Sequence, residues 1–181
     1  MKVLFSLFVA LLICATPAFA NWKSYDLSKI PKGTKVKYLS HLGNIEITHL
    51  GPKSDGFAYK LTRDNSENAA ITVRSWSDAA GNTIRAKVNG ETTIISPHDC
   101  SMTFGICEYS EKRGQKPVKR YISNATLKAD RRVFEIHEIV EGKKVLYRAG
   151  WVKIDEFGYT IERADKFYFN GDVVNGWLRR K

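Results

Sequence analysis

The segment KVKYLSHLGNIEIT, residues 35–48, contains the alternation of apolar and polar side chains from which the fold is predicted. A period of two is typical of a β-strand that buries one of its faces. Gly43-Asn44 lies in the middle of the segment, and this type of dipeptide is typical of two-residue hairpin turns. The segment therefore predicts an antiparallel hairpin in which Leu42 opposes Ile45.

The two faces of this predicted hairpin differ in character. Its apolar face would carry Val36, Tyr38, Leu42, Ile45 and Ile47. Its polar face would carry Lys35, Lys37, His41, Glu46 and Thr48, with His41 directly opposite Glu46. A slip of one residue would mix the two sets, so the pattern specifies which side chains point into the protein.

The same alternation recurs along the rest of the chain. Further hairpin turns are predicted at three dipeptides, Asn89-Gly90, Glu141-Gly142 and Asn170-Gly171. A bulge or bend is predicted at Gly150, and residues 97–117 are predicted to form a long loop. The expected fold is all-β, an antiparallel meander of about nine or ten strands that forms a barrel, lipocalin-like in architecture, or a sandwich. A closed barrel is preferred because closure removes unpaired strand edges.

The first twenty residues predict export. Lys2 precedes an apolar run from Val3 to Ile13, and Ala18-Phe19-Ala20 provides small residues at the positions that a signal peptidase requires. The apolar run is too short for a membrane-spanning helix, which needs about 20 apolar residues. We therefore expect a signal peptide at residues 1–20 and a single all-β domain at residues 21–181, located in the periplasm or outside the cell and not spanning a membrane.

The chain is basic, with 29 Lys and Arg residues against 19 Asp and Glu residues and a net charge of +10. The basic residues are scattered rather than grouped in a block. Solubility is one explanation of this charge, and attraction to anionic envelope components is the other. Nucleic acid is not an expected partner, because export would separate the protein from the chromosome.

Two cysteines remain once Cys14 leaves with the signal peptide. Cys100 and Cys107 are an even pair in an exported chain, which predicts a disulfide. Six residues separate them, unlike the closer spacing of redox-active Cys-X-X-Cys pairs, so a structural role is expected. Such a bridge would stabilise the fold by about 2–3 kcal/mol.

No constellation for catalysis or for a cofactor is found in the sequence. The densest group of potential metal ligands is His98, Asp99, Cys100 and Cys107, but its sulfurs are expected to bond to each other. No serine lies in a nucleophile motif, and no glycine-rich phosphate loop is present. We therefore predict a protein that is not an enzyme and that has no catalytic residues, metal or cofactor.

The aromatic content provides the leading functional hypothesis, although aromatic side chains also fill ordinary cores. Barrels of about eight strands can hold a small ligand inside. We predict that Tyr38, Tyr59, Tyr147 and Trp151 point inward and that Arg148 pairs with an anionic head group. The ligand would be a lipid or another apolar or amphipathic molecule, or an anionic envelope component.

The alternative hypothesis is an interaction or inhibitor protein without a ligand cavity. Its contact surface would be the Cys100–Cys107 loop, with Met102 and Phe104 displayed near the tip, and its partner would be an envelope protein. Loops on rigid β scaffolds often carry binding residues.

Overall fold

The computed structural model describes residues 27–41, 43–65, 68–88, 90–155 and 159–181, without the side chains of residues 64–72. The predicted signal peptide, residues 1–20, lies outside the described residues, and so do residues 21–26 at the start of the predicted domain.

The described residues form a closed antiparallel barrel of twelve strands, preceded by a short 3₁₀ helix at Leu27–Lys29. The strands are β1 (Lys35–Ser40), β2 (Gly43–Lys53), β3 (Gly56–Asn65), β4 (Asn68–Ser77), β5 (Thr83–Val88), β6 (Glu91–Ser96), β7 (Gly105–Arg113), β8 (Lys119–Lys128), β9 (Arg131–Val140), β10 (Lys143–Ile154), β11 (Thr160–Phe169) and β12 (Asp172–Arg180). Each strand pairs with its neighbours in sequence, and β12 pairs with β1 to close the sheet. The predicted all-β barrel is confirmed, and the alternative of a sandwich is wrong.

The predicted count of nine or ten strands is too low, because β7 and β8 were not recognised. β7 lies inside the segment predicted as a loop, residues 97–117. Its inner positions include the carboxylate of Glu111 beside Tyr109, so the inner face of this strand is not apolar. A search for apolar alternation misses such a strand because the interior of this barrel accepts charged side chains.

The first hairpin has the predicted faces but a different register. Tyr38 opposes Ile45 and Ser40 opposes Gly43, so the predicted pairing of Leu42 with Ile45 is wrong. Leu42 itself lies outside the described residues. The Ser40 hydroxyl donates a hydrogen bond to the Gly43 carbonyl at 2.8 Å, which links the two strand ends.

The shift preserves the two faces because each residue moves by an even number of positions. Val36 and Tyr38 are therefore buried, as predicted. Glu46 opposes Lys37 and forms an ion pair with Lys35 at 3.0 Å, so the predicted pairing with His41 is wrong.

The hairpin at Asn89-Gly90 has the expected register, with Val88 opposite Glu91 and Ala86 opposite Thr93. The turns predicted at Glu141-Gly142 and Asn170-Gly171 also connect paired strands, through the pairs Val140–Lys143 and Phe169–Asp172. In the last two turns both central residues have positive φ, as a type I′ turn requires. These turns join strands with the right-handed twist that a barrel needs.

The irregularity in β10 lies before the predicted position. The register with β9 shifts between Leu146 and Arg148 rather than at Gly150. The extra residue places the neighbouring side chains of Tyr147 and Arg148 on the same, inner side of the sheet. Gly150 has a different role, because a Cβ there would collide with the backbone carbonyl of Ala164 on β11.

The turn between β9 and β10 provides a test of this geometry. Glu141 has φ of +50°, and Gly142 has φ of +77° with open space around its missing Cβ. Gly142→Ala should lower the free energy of unfolding by about 1 kcal/mol, because an L side chain strains this backbone region. Thermal and denaturant unfolding measure the change.

The neighbouring substitution Glu141→Gly serves as the control. It relieves the strain at the same turn, so it should not lower the melting temperature despite the extra freedom of the unfolded chain. Equal destabilisation by both variants would contradict a turn with two left-handed residues.

Candidate functional site

The width of the barrel determines what fills it. Eight strands enclose a space that ordinary side chains fill, and more strands enclose a wider one. The inner positions of this barrel accordingly carry long side chains, many of them tyrosines and arginines, including Tyr38, Tyr109, Tyr121 and Arg132. Among the residues that the structure describes, two adjoining cavities lie between these side chains.

The first cavity, which we call the tyrosine chamber, has a volume of about 270 Å³. Tyr38, Tyr59 and Tyr159 line it together with aliphatic side chains such as Leu61 and Ile154. Hydroxyl groups of serine and threonine residues complete the wall. The chamber can therefore receive an apolar group and offers scattered hydrogen-bonding partners.

The second cavity, the arginine chamber, has a volume of about 180 Å³. Arg132, Arg148 and Arg163 line it, together with Asp99 and Glu111. The arginine chamber adjoins the tyrosine chamber, because the two cavities share the lining residues Ser101, Val152 and Arg163.

The three guanidinium groups surround one aromatic ring. The ring centroid of Phe134 lies 5.3 Å from the guanidinium carbon of Arg132, 5.4 Å from that of Arg148 and 5.7 Å from that of Arg163. Each distance is within the range of a cation–π contact. The three guanidinium groups therefore lie close together in one part of the interior.

Asp165 is the acidic partner of two of these arginines. One of its carboxylate oxygens, Oδ2, lies 2.8 Å from Arg163 and 3.1 Å from Arg148. Burial raises the pKa of Asp165, and the charge of Arg163 lowers it by a smaller amount. The Arg148 Nε and the other Asp165 oxygen, Oδ1, are buried and make no hydrogen bond within the described part of the chain.

Backbone carbonyls hold the third arginine. The Arg132 side chain, 3% exposed, donates hydrogen bonds to the carbonyls of Cys100 at 2.8 Å and Thr103 at 2.9 Å. Burial lowers the pKa of Arg132 to about 10, so the group keeps its charge at neutral pH. A hydrogen bond to a carbonyl does not neutralise that charge, and the acidic group that acts on it is the carboxylate of Asp99, which lines the same chamber and raises the pKa of Arg132 by a smaller amount.

The predicted disulfide between Cys100 and Cys107 is confirmed, and it fixes the loop that holds Arg132. The loop after β6, residues 97–104, folds against the barrel end, and the Asn82 side chain accepts a hydrogen bond from the Met102 backbone at 2.7 Å. Cys100 is fully buried within the core cluster. The bridge therefore positions two carbonyls inside the barrel.

A row of aromatic rings extends across the interior near the arginine chamber. The ring centroids of Tyr109 and Tyr121 are 5.0 Å apart, those of Tyr121 and Tyr147 are 5.4 Å apart, and those of Tyr147 and Phe169 are 5.6 Å apart. Burial raises the pKa of Tyr109 and Tyr121, so both phenols stay protonated. Such rings pack well and keep hydroxyl groups available for hydrogen bonds.

The structure places four of the five predicted ligand-binding residues at the cavities. Tyr38 and Tyr59 line the tyrosine chamber, and Tyr147 and Arg148 line the arginine chamber. Trp151 does not join them. It lies on the outer face of β10, where the exposed Arg131 guanidinium lies 3.9 Å from its ring centroid.

The reason for the position of Trp151 is the bulge before it. The predicted alternation counted from Tyr147 places Trp151 inside, but the extra residue reverses the alternation from Arg148 onward. Val152, the next residue, is buried and lines both chambers.

The residues proposed as the tip of an interaction loop are not displayed there. Met102 is half-buried and lines the tyrosine chamber, because the loop folds over the barrel end. Phe104 is also half-buried.

Sequence analysis missed Arg132, Arg163 and Asp165. A signal for Arg132 was present, because it shares the parity of the inward residues Phe134 and Ile136 on β9. Arginine and aspartate side chains are ordinarily expected to face solvent, so inward positions of these residues are overlooked.

His98, Cys100 and Cys107 form a group whose ligand atoms lie within 4.8 Å of one another. Both sulfurs take part in the disulfide, so this group offers only the imidazole as a metal ligand while the bridge is intact.

No family model matches this chain, and neither the curated proteins nor the solved structures include a match to it. Among the residues that the structure describes, no helix has the length and apolar character needed to span a membrane.

His49 is a titratable group of the interior outside the two chambers. Its side chain is 1% exposed, and its ring centroid lies 5.4 Å from that of Tyr59 and 6.2 Å from that of Phe57. Burial lowers the pKa of His49, and a backbone interaction with Pro31 raises it by a smaller amount. The folded protein therefore disfavours the protonated ring.

This burial predicts a pH-dependent stability. Below the pKa of an unfolded-state histidine, about 6.5, the unfolded chain binds a proton more readily at residue 49 than the folded chain does. The contribution of the neutral His49 ring to the free energy of unfolding is therefore present above that pH and is lost as the pH falls through it. In the His49→Phe variant, the free energy of unfolding should decrease less between about pH 7.5 and 5.5 than it does in the wild type, as measured by denaturant unfolding.

His137→Phe, on the outer face of β9, is the matched control for removing an imidazole. A constant difference in unfolding free energy between the wild type and His49→Phe across this pH range would contradict the assignment.

Proposed function

We propose that this protein is an exported, non-enzymatic barrel that binds an amphipathic molecule with an anionic head group in its interior. The observation that carries the proposal is the position of the arginine chamber directly beside the tyrosine chamber. An anionic head would lie among the guanidinium groups, and an apolar tail would lie among the tyrosine and aliphatic side chains.

The arginine chamber has an unused hydrogen-bond donor for an anion. Asp165 pairs with two of the guanidinium groups and Arg132 contacts carbonyls, while the carboxyl groups of Asp99 and Glu111 also line the chamber. The buried Nε of Arg148 can donate a hydrogen bond that it does not make within the described residues. Charge-assisted hydrogen bonds from arginine to a carboxylate or phosphate are among the stronger polar contacts in proteins. Arg148 is therefore the main candidate for contact with the head group.

The tyrosine chamber has the composition expected for the apolar part of a ligand. Ligand sites are usually lined by apolar and aromatic side chains with a few polar groups that fix orientation. Met102 and Leu61 add flexible and aliphatic surface to the aromatic wall. A linear acyl chain suits this lining better than a highly hydroxylated molecule does.

The sequence supports the exported location. The predicted signal peptide directs the chain out of the cytoplasm, and a disulfide is compatible with an oxidising compartment. A barrel outside the cytoplasm that holds a lipid-like molecule would act as a carrier or a sensor of that molecule. The alternative role of the Cys100–Cys107 loop as a docking surface remains a prediction, but the inward position of Met102 does not favour it.

Titration calorimetry with octanoate and with octanol tests the proposal. The two probes share an alkyl chain and differ in the charge of the head. The wild-type protein should bind octanoate more tightly. Arg148→Met should weaken octanoate binding by about tenfold or more, which is the loss of one charge-assisted contact of about 1.5–3 kcal/mol. The affinity of the Arg148→Met variant for octanol should differ from that of the wild type by no more than about twofold.

Arg131→Met provides the matched control, because Arg131 lies on the outer face. It should leave the affinity for both probes unchanged. Equal affinity of the wild type for octanoate and octanol, or an Arg148→Met variant with full octanoate affinity, would contradict an anionic head group at this position.

A further inference from the structure

A row of basic side chains crosses the outer surface of the barrel. Lys60 on β3 opposes Arg74 on β4, and Arg74 opposes Lys87 on β5. All three side chains are exposed. Adjacent strands are about 4.8 Å apart, so the row places a positive charge on each of three consecutive strands.

This arrangement does not serve stability. Like charges on directly opposed residues of neighbouring strands are destabilising. Among the residues that the structure describes, no ion pair to a carboxylate is found for Lys60, Arg74 or Lys87. Glu46 forms its ion pair with Lys35, and the charge of Lys60 has a smaller effect that also lowers the pKa of Glu46. The row therefore carries more positive than negative charge, which is available to an external anion.

The row leads into a groove on the same side of the barrel. The groove has a volume of about 610 Å³, within the size range of ligand sites. Lys37, Lys60 and Lys181 line it, and Lys60 belongs to both the groove and the row. Polar groups without positive charge, namely Asn44, Glu46 and Thr62, line the groove as well, together with Tyr38 and Ile45.

We propose that the groove and the row together form a basic track, comprising Lys37, Lys181, Lys60, Arg74 and Lys87, that binds a linear acidic glycan. Lysine and arginine side chains would pair with the carboxylates of the glycan. The Thr62 hydroxyl and the Glu46 carboxylate can exchange hydrogen bonds with sugar hydroxyl groups. The spacing of the row, one charge on each strand, is close to the length of one pyranose residue, so a chain crossing the strands would meet a cation at each sugar.

Two features favour a glycan over other anions. A flat bilayer surface does not enter a groove, so the groove lysines would contribute little to membrane contact. The Glu46 carboxylate can accept hydrogen bonds from the hydroxyl groups of a sugar, which a linear polyphosphate lacks. The row of Lys60, Arg74 and Lys87 lies on the outer surface, away from the interior ligand, although the groove reaches Tyr38, which also lines the tyrosine chamber.

Binding to polygalacturonate, a linear polycarboxylate sugar, tests this proposal. The triple variant Lys60→Gln, Arg74→Gln and Lys87→Gln should weaken binding by about tenfold or more, and wild-type binding should weaken as salt is added. The control is the triple variant Lys128→Gln, Lys143→Gln and Lys166→Gln, which removes the same charge from exposed positions on other strands. It should change the affinity by no more than about twofold.

Other results would overturn the proposal. Equal losses in the two triple variants would show attraction by net charge alone. Binding to phosphatidylglycerol vesicles that requires the row, without binding to polygalacturonate, would identify a membrane-docking surface instead. Octanoate titration and circular dichroism of both triple variants verify that the interior and the fold are intact, so a failure of the track is distinguishable from a failure of the interior site.

Discussion

The circumference of the barrel is the constraint on which the rest of the structure depends. Pairing of β1 with β12 closes twelve strands, and the space inside is too wide for a compact aliphatic core. Long tyrosine and arginine side chains span it. Their polar ends need partners in the interior, because an unpaired buried charge is strongly unfavourable. The two chambers and the charged groups beside them follow from this width.

The three interior arginine side chains are stabilised in two ways. Asp165 pairs with Arg148 and Arg163, whereas the carbonyls of Cys100 and Thr103 hold Arg132. The disulfide thus does more than restrict the unfolded chain, because it fixes the loop that supplies those carbonyls. An interior organised in this way holds its cations in fixed positions, and such preorganisation would favour binding of the proposed ligand.

The fold class was predictable because turn dipeptides and alternation are local signals. The number of strands was not predictable, because the inward-facing Glu111 on β7 interrupts the expected apolar alternation. The inward positions of Tyr38 and Tyr147 followed from alternation, but Trp151 was misplaced because the bulge in β10 has no distinctive sequence. Arg132 and Arg163 were missed because isolated arginines in strands ordinarily face water. Burial of charge depends on the closed barrel as a whole, which no short segment encodes.

We propose that the interior holds an amphipathic anion. Native mass spectrometry of the protein, purified without denaturation from cells that make it, tests this proposal most directly. The polypeptide, with its disulfide intact, should carry the additional mass of a non-covalently bound lipid-like molecule, and that molecule should prove anionic after its release. A bare polypeptide mass under conditions that preserve such complexes would contradict it.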